Sequence, residues 1–73
     1  MKTIETISIS KNRVAVDLID NTTIQFVVWN LEKQKHNRLR DVLNTAFCLC
    51  SNFKEILKHL AINKFDAELE DIY

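Results

Sequence analysis

Residues 7–28 read ISISKNRVAVDLIDNTTIQFVV, and this stretch decides the fold. Apolar side chains alternate with polar ones in three runs, which is the two-residue period of a half-buried β-strand. Many of the apolar residues are β-branched, and β-branched residues favour strands. The apolar positions are Ile7, Ile9, Val14, Val16, Leu18, Ile24, Phe26 and Val28. Followed to its limits at Thr3 and Trp29, the pattern predicts three strands.

Two short polar segments separate the runs and predict that neighbouring strands are antiparallel. The first is Lys11–Asn12, and the second is residues 20–22, which read Asp-Asn-Thr. Asn and Asp adopt the left-handed backbone of tight turns more readily than most residues, so these turns need no glycine. The predicted pairs are Ile9 with Val14, Ile7 with Val16, Leu18 with Ile24, and Val16 with Phe26. Because both registers place the apolar side chains on one face, we expect a three-stranded antiparallel meander.

After residue 30 the apolar spacing changes to the period of a helix. The first helical stripe consists of Leu39, Val42, Leu43, Ala46, Phe47 and Cys50, and the second of Phe53, Ile56, Leu57, Leu60 and Ala61. We expect Asn30 to cap the first helix, with Glu32 in its first turn. Asn52 and Glu55 have the spacing of a capping box at the start of the second helix. We expect Asn63 to end that helix in the left-handed conformation.

The chain is expected to form a single small α+β domain over residues 1–73, in the order β-β-β-α-α, with the helices packed on one face of the sheet. The residues expected to be nearly buried are Val16, Phe26, Leu43, Phe47, Leu57 and Leu60. For residues 64–73, the spacing of Phe65, Leu69 and Ile72 leaves two interpretations open. The segment forms a short third helix from a cap at Asp66, or it is a tail that docks only on a partner.

The chain has no glycine and no proline, and this restricts the chemistry it can carry. P-loops, dinucleotide-binding turns and nucleophile elbows all need glycine where backbone approaches a phosphate or takes a positive φ. His36, Cys48, Cys50 and His59 include zinc-ligand types, but their spacing matches no known ligand pattern. We expect both thiols to be reduced, because Cys48 and Cys50 would point to different faces of one helix. The sequence predicts a non-enzymatic protein with no catalytic residue, no cofactor and no metal.

Ten Lys and Arg residues balance ten Asp and Glu residues, so the formal net charge is zero. This balance argues against general binding to nucleic acid or to a membrane surface. The first five residues, MKTIE, meet a charge before any apolar run, so we expect no signal peptide and a cytoplasmic location. Frequent Ile, Asn and Lys fit an AT-rich genome, such as that of a phage, a mobile element or a low-GC bacterium.

A block of cations lies at the predicted start of the first helix, and it consists of Lys33, Lys35, Arg38 and Arg40. Cations near a helix N-terminus oppose the macrodipole, so folding alone does not account for them. We expect this end of the helix to project past the sheet. The block is a solvated face, or it pairs with Glu32, Asp41 or the acidic tail. Otherwise it contacts an acidic protein surface or nucleic-acid phosphates.

The third strand ends at Trp29, which the predicted register places opposite Arg13 on the open face of the sheet. Trp29 is then an interface anchor, a cap on the end of the core, or a cation–π partner of Arg13. Together with Val27 and Ile19 it would form the apolar part of that face. We expect this surface to contact either a second copy of the chain in a homodimer or a different partner.

The sequence therefore predicts a small binding protein that acts as a regulator or inhibitor through contact with another protein. The analogy is with small phage or mobile-element inhibitors and antitoxin-like regulators, and it rests on size and class. The alternative is a nucleic-acid-binding regulator that uses the basic start of the first helix; no membrane partner is expected. The residues predicted to bind the partner are Lys33, Lys35, Arg38, Arg40, Arg13 and Trp29.

Overall fold

The structure, a computed structural model, describes residues 3–73 of the chain. Its elements in chain order are β1 (Ile4–Ser10), β2 (Arg13–Leu18), β3 (Thr23–Val28), a 3-10 turn (Lys33–Lys35), α1 (His36–Leu49), α2 (Phe53–Ile62) and β4 (Ala67–Ile72). The strands form one antiparallel sheet in the order β1-β2-β3-β4. The fold is α+β as predicted, with a fourth strand that the sequence analysis did not predict. Neither α1 nor α2 has the length and apolar character of a membrane-spanning helix.

The first hairpin has the predicted register. Ile7 lies opposite Val16, and Ile9 lies opposite Val14. The two-residue loop turns on Lys11, whose φ is 54°, rather than on an asparagine. Asn12 has a different role, because its side-chain amide donates to the Val28 carbonyl oxygen at 2.7 Å and ties the loop to the end of β3.

The second hairpin is displaced by two residues from the predicted register. Val16 lies opposite Ile24, and Val14 lies opposite Phe26. A displacement of two residues keeps every side chain on its predicted face, because side chains alternate with a period of two. The loop closes earlier than predicted: the Leu18 N–H donates to the Thr22 carbonyl oxygen at 2.8 Å. As a result, the residue opposite Arg13 is Val27 and not Trp29, so the predicted Arg13–Trp29 pair is wrong.

Residues 67–72 form β4, which corrects both predictions made for the end of the chain. Ala67 lies opposite Val28, and Leu69 lies opposite Phe26, so their side chains extend the apolar face. β4 supplies hydrogen-bond partners to the edge of β3, which a helix at this place would not do. The helical spacing of Phe65, Leu69 and Ile72 is coincidental, and the two-residue alternation of Ala67 to Glu70 is the pattern that the fold uses.

The two helices differ in how their ends are capped. α1 begins at His36, later than predicted, and no side chain caps its first turn. α2 begins as predicted, because the Asn52 side chain accepts the Glu55 N–H at 3.0 Å. At the other end of α2, the left-handed residue is Lys64 (φ 70°) and not Asn63. The Phe65 N–H donates back to the Leu60 carbonyl oxygen at 2.9 Å, which completes a Schellman turn.

The core lies between the two helices and one face of the sheet. The predicted core residues that are fully buried are Val16, Phe26, Leu43, Phe47 and Leu60. Leu57 is only half-buried, so that prediction is wrong, and Phe65 takes a fully buried place that was not predicted. The rings of Phe26 and Phe47 meet edge to face, with 6.4 Å between their centroids. α1 packs over β1 and α2 packs over β4, so the opposite face of the sheet is open.

Candidate functional site

Separate segments of the chain meet at one end of the sheet. The Val28 N–H donates to the Asn12 carbonyl oxygen at 2.8 Å, which places the β1–β2 turn beside the end of β3. The Trp29 N–H donates to the Asp66 carbonyl oxygen at 2.8 Å, which adds the connection between α2 and β4. We call this place the basic end and define it by Lys11, Trp29, Lys33, Lys35, Arg38 and Lys64.

Asn30 holds two of these segments together. Its side-chain amide nitrogen donates to the Lys64 carbonyl oxygen at 2.8 Å, and its side-chain oxygen accepts the Asp66 N–H at 2.8 Å. The predicted role of Asn30 as the cap of α1 is therefore wrong. Its amide joins the segment that precedes α1 to a connection more than thirty residues further along the chain.

Arg38 brings the start of α1 to the same place. Its guanidinium carbon lies 5.3 Å from the centroid of the Phe65 ring, which is the geometry of a cation–π contact. Phe65 is 1% exposed, so the exposed Arg38 side chain covers a ring that belongs to the core. The Arg38 side chain thus packs on the α2–β4 connection and joins the start of α1 to this end of the sheet.

The cations of the basic end outnumber the carboxylates around them. Glu32 and Asp66 are the acidic residues of these segments, and Glu32 accepts a hydrogen bond from the Gln34 side chain at 2.6 Å. Within residues 3–73, the structure contains one side-chain ion pair, between Arg13 and Glu70 at 3.7 Å. The block at residues 33–40 therefore does not pair with Glu32, Asp41 or the acidic tail in this part of the chain. These charges therefore face solvent or a partner.

Trp29 is an exposed aromatic side chain on a fixed backbone. Its N–H is bonded to Asp66, and its carbonyl oxygen accepts a hydrogen bond from the Asn12 side chain at 3.3 Å. The residue is 59% exposed, which is too much for a cap on the core. The cation–π contact with Arg13 is not formed, because Arg13 instead approaches Glu70. The interface-anchor interpretation is the one that this geometry favours.

The structure gathers some of the predicted partner-binding residues and separates others. Trp29, Lys33, Lys35 and Arg38 belong to the basic end. Arg40 is half-buried further along α1. Arg13 begins β2 beside the turn, but its side chain lies on the open face near Glu70. Lys11 and Lys64 join the site without having been predicted, because only the folded sheet places the turn and the α2–β4 connection beside Trp29.

The open face of the sheet is polar and carries no apolar patch. Val27 is 9% exposed, and Trp29 and Ile19 lie at opposite ends of the sheet, since the Ile19 N–H donates to Thr3 at 3.2 Å. The predicted cluster of Val27, Trp29 and Ile19 is therefore wrong. The face has a shallow depression of about 230 Å³ lined by Ser8, Ser10, Arg13, Val14, Ala15 and Gln25. It is below the usual size of a ligand pocket, which is roughly 300–1,000 Å³.

The half-buried carboxylate of Asp17 on the open face forms its hydrogen bonds within the sheet. Asp17 accepts hydrogen bonds from the Thr23 hydroxyl at 2.7 Å and from the Thr6 hydroxyl at 2.9 Å. These two bonds lower the pKa of Asp17, because they stabilise the charged form. Asp17 therefore fastens the three strands β1, β2 and β3 to one another.

The remaining chemistry-bearing residues do not form a site. Cys48 is exposed and Cys50 is buried, and neither forms a disulfide bond. Across residues 3–73, His, Cys, Asp and Glu side chains form no group that could hold a metal ion. Comparison of the chain with protein-family models, with curated proteins and with solved structures gave no match. The candidate site therefore rests on the geometry of the basic end.

Proposed function

We propose that this protein binds an acidic surface of another protein through its basic end and acts as a small non-enzymatic regulator or inhibitor. The observation that carries the proposal is an exposed Trp29, fixed by backbone hydrogen bonds, among cations from separate segments. Trp and Arg are the residues most enriched among those that dominate binding energy at protein interfaces. A residue whose backbone is already ordered loses less entropy on binding than a residue in a mobile loop, which favours affinity.

The charges around Trp29 support an acidic partner. The five cations Lys11, Lys33, Lys35, Arg38 and Lys64 stand against three carboxylates, those of Glu32, Asp66 and Glu68. Such a local excess steers a partner of opposite charge toward the site and speeds association, although the whole chain is neutral.

The alternative partner is single-stranded nucleic acid, whose bases could stack on Trp29. One observation weighs against it: β4 leaves the basic end carrying Glu68, Glu70 and Asp71, in the strand that follows Asp66. A nucleic acid carries phosphates along its whole length, so a strand laid over Trp29 would meet this acidic edge. A protein partner can present its acidic groups to the basic end alone.

The experiment compares two charge-reversed variants. Lys33→Glu with Lys64→Glu alters exposed residues of the basic end, and Lys54→Glu with Lys58→Glu alters two exposed lysines of α2 as a matched control. A partner is isolated from lysate with the unmodified protein, purified, and titrated against each variant. We expect the first variant to weaken binding about tenfold or more, mainly through slower association, and the control to bind as the unmodified protein does.

Salt and nucleic-acid titrations decide between the partner classes. Trp29 is the single tryptophan, so its fluorescence reports directly on the site. Addition of a single-stranded oligonucleotide at about 0.15 M salt should leave that fluorescence unchanged. Saturable quenching by the oligonucleotide, with affinity that falls steeply as salt rises, would support nucleic-acid binding instead. Equal partner binding by both charge-reversed variants would contradict the assignment of the basic end.

A further inference from the structure

The two edges of the sheet are built differently. Exposed edge strands invite pairing with other chains, and natural proteins protect them with charges, bulges or proline. β4 is protected, because it carries Glu68, Glu70 and Asp71 and pairs with β3 through an irregular register. β1 has one charge, Glu5, beside its own irregularity, and is then uncharged from Thr6 to Ser10. The edge formed by β1 is thus open to pairing.

Hydrogen bonds at the end of β2 show which way β1 directs its backbone. The Leu18 N–H donates to Thr22 on the β3 side at 2.8 Å, and the next N–H, of Ile19, donates to the β1 side at 3.2 Å. Odd-numbered residues of β2 therefore face β1, because alternate residues of a strand face opposite neighbours. The β1 residues opposite them are Thr6, Ser8 and Ser10. It follows that Ile7 and Ile9 direct their N–H and C=O groups away from the sheet.

We propose that β1 pairs antiparallel with β1 of a second copy of this chain, with Ser8 opposite Ser8 across a two-fold axis. In this register Ile7 lies opposite Ile9 of the second copy, and the outward backbone groups of these residues meet as a hydrogen-bonded pair. Their side chains are half-buried on the core face, so apolar side chains meet across the junction. Thr6 lies opposite Ser10 on the open face.

Charge complementarity selects both the second copy and the register. Glu5 and Lys11 flank the uncharged segment, and neither makes an ion pair with another residue in the range 3–73. With Ser8 on the axis, Glu5 and Lys11 lie just beyond the two ends of the regular segment 6–10, so Glu5 of each copy comes near Lys11 of the other. A register displaced by two residues would set Glu5 opposite Ile9 and lose both charge pairs.

The pairing has a consequence for the shape of the assembly. Two four-stranded sheets would join into one continuous sheet with the helices of both copies on the same face. Because the strands run antiparallel, the basic ends would point in opposite directions. Lys11 belongs both to the basic end and to this pairing, whereas Glu5, Ser8 and Ile9 belong to the β1 edge alone, so Ser8→Lys tests the pairing without altering the basic end.

The first measurement needs no substitution. Sedimentation at tens of micromolar should give the mass of a dimer, and amide hydrogen exchange of Ile7 and Ile9 should slow as concentration rises. Exchange at Thr6 and Ser8 should not change with concentration, because their N–H groups face β2. A monomer at this concentration, or exchange at Ile7 and Ile9 that is independent of concentration, would overturn the proposal.

Two variants test the edge. Ser8→Lys places like charges opposite each other on the axis and should raise the dimer dissociation constant about tenfold or more. Glu68→Lys, an exposed change on β4, is the matched control and should leave the dimer unchanged. Both variants should keep the circular dichroism of the unmodified protein. A Ser8→Lys protein that remains fully dimeric would show that another surface forms the dimer.

A charge exchange tests the register. Glu5→Lys alone and Lys11→Glu alone each oppose like charges and should weaken the dimer, whereas the double variant restores opposite charges and should recover it. Both residues are exposed, so the single variants should fold normally. Failure of the double variant to dimerise more tightly than either single variant would contradict the Ser8-centred register.

Discussion

The two ends of the sheet use their charged residues in opposite ways. At the far end, which contains the β2–β3 loop and Tyr73, carboxylates serve the fold: Asp17 binds two hydroxyls, and Asp20 accepts the Thr22 N–H at 3.1 Å. At the basic end, the side-chain amides of Asn12 and Asn30 donate to backbone carbonyl oxygens. The cations there form no ion pair within residues 3–73, although Arg38 contacts the Phe65 ring. A charged residue that has no structural partner is therefore a better candidate for a binding role than one that the fold already uses.

Removing one aromatic ring from each end of the sheet should produce the largest difference in stability between the two ends. Phe65→Ala should cost about 3–5 kcal/mol, because the ring is 1% exposed and closes the core beneath Arg38. Tyr73→Ala at the far end should cost under about 1 kcal/mol, because Tyr73 is 67% exposed. Urea unfolding of both variants measures the difference. Similar losses at the two ends would show that Phe65 does not close the core in solution.

A smaller effect is expected from the amide that joins segments at the basic end. Asn30→Ala removes two hydrogen bonds to residues 64 and 66 and should cost about 1–2 kcal/mol. Asn44→Ala is the control, because Asn44 donates within α1, to the Arg40 carbonyl oxygen, and its loss should fall within about 0.5 kcal/mol. Thermal unfolding of the pair measures this. Equal melting temperatures for the two variants would show that the Asn30 hydrogen bonds do not stabilise the contact between these segments.

At the far end, Asp17 should make stability depend on acid. Bonds from Thr23 and then Thr6 hold the pKa of Asp17 below its ordinary value of 3.8. In the unfolded chain the pKa returns to that value, so the stabilisation is complete above about pH 5 and is lost as the pH falls through the folded pKa. Asp17→Asn should flatten this part of the stability curve. In the double variant Thr6→Val with Thr23→Val, a carboxyl NMR titration should show the pKa of Asp17 raised relative to the unmodified protein.

The smallest expected effect is a difference in how two ions quench the fluorescence of Trp29. Because Trp29 lies among unpaired cations, iodide should quench its fluorescence more strongly than caesium does, and the contrast should fade in high salt. Lys33→Glu with Lys64→Glu should reduce the contrast, whereas Lys54→Glu with Lys58→Glu should preserve it. Equal quenching by the two ions in the unmodified protein would mean that the potential around Trp29 is not positive.

The sequence predicted the parts of the molecule whose partners are near in the chain. The first hairpin follows from the alternation around Lys11–Asn12, and the start of α2 follows from Asn52 and Glu55. The second hairpin keeps its predicted faces but not its pairs, because loop closure at Thr22 depends on local hydrogen bonds that alternation does not encode. β4 was missed because this segment has both a helical spacing and a short two-residue alternation, and the contact with β3 selects the strand.

The same distinction between near and distant partners in the sequence applies to the candidate site. Trp29 and the block from Lys33 to Arg38 could be found from the sequence, because they are close together in it. Asn30 could not, because both of its side-chain partners lie more than thirty residues away. Lys11 and Lys64 come from different connections of the fold, and no local pattern associates either of them with Trp29.

Among residues 3–73, three residues other than glycine adopt a left-handed backbone, and two of them are lysines of the basic end: Lys11 with φ of 54° and Lys64 with φ of 70°. A side chain at such a position costs about 1 kcal/mol relative to glycine. Selection for stability alone would favour glycine at both turns, yet the chain keeps a cation at each. Lys64→Gly should therefore raise the melting temperature while it weakens partner binding, and measuring both on one variant would show whether stability has been given up for charge at this site.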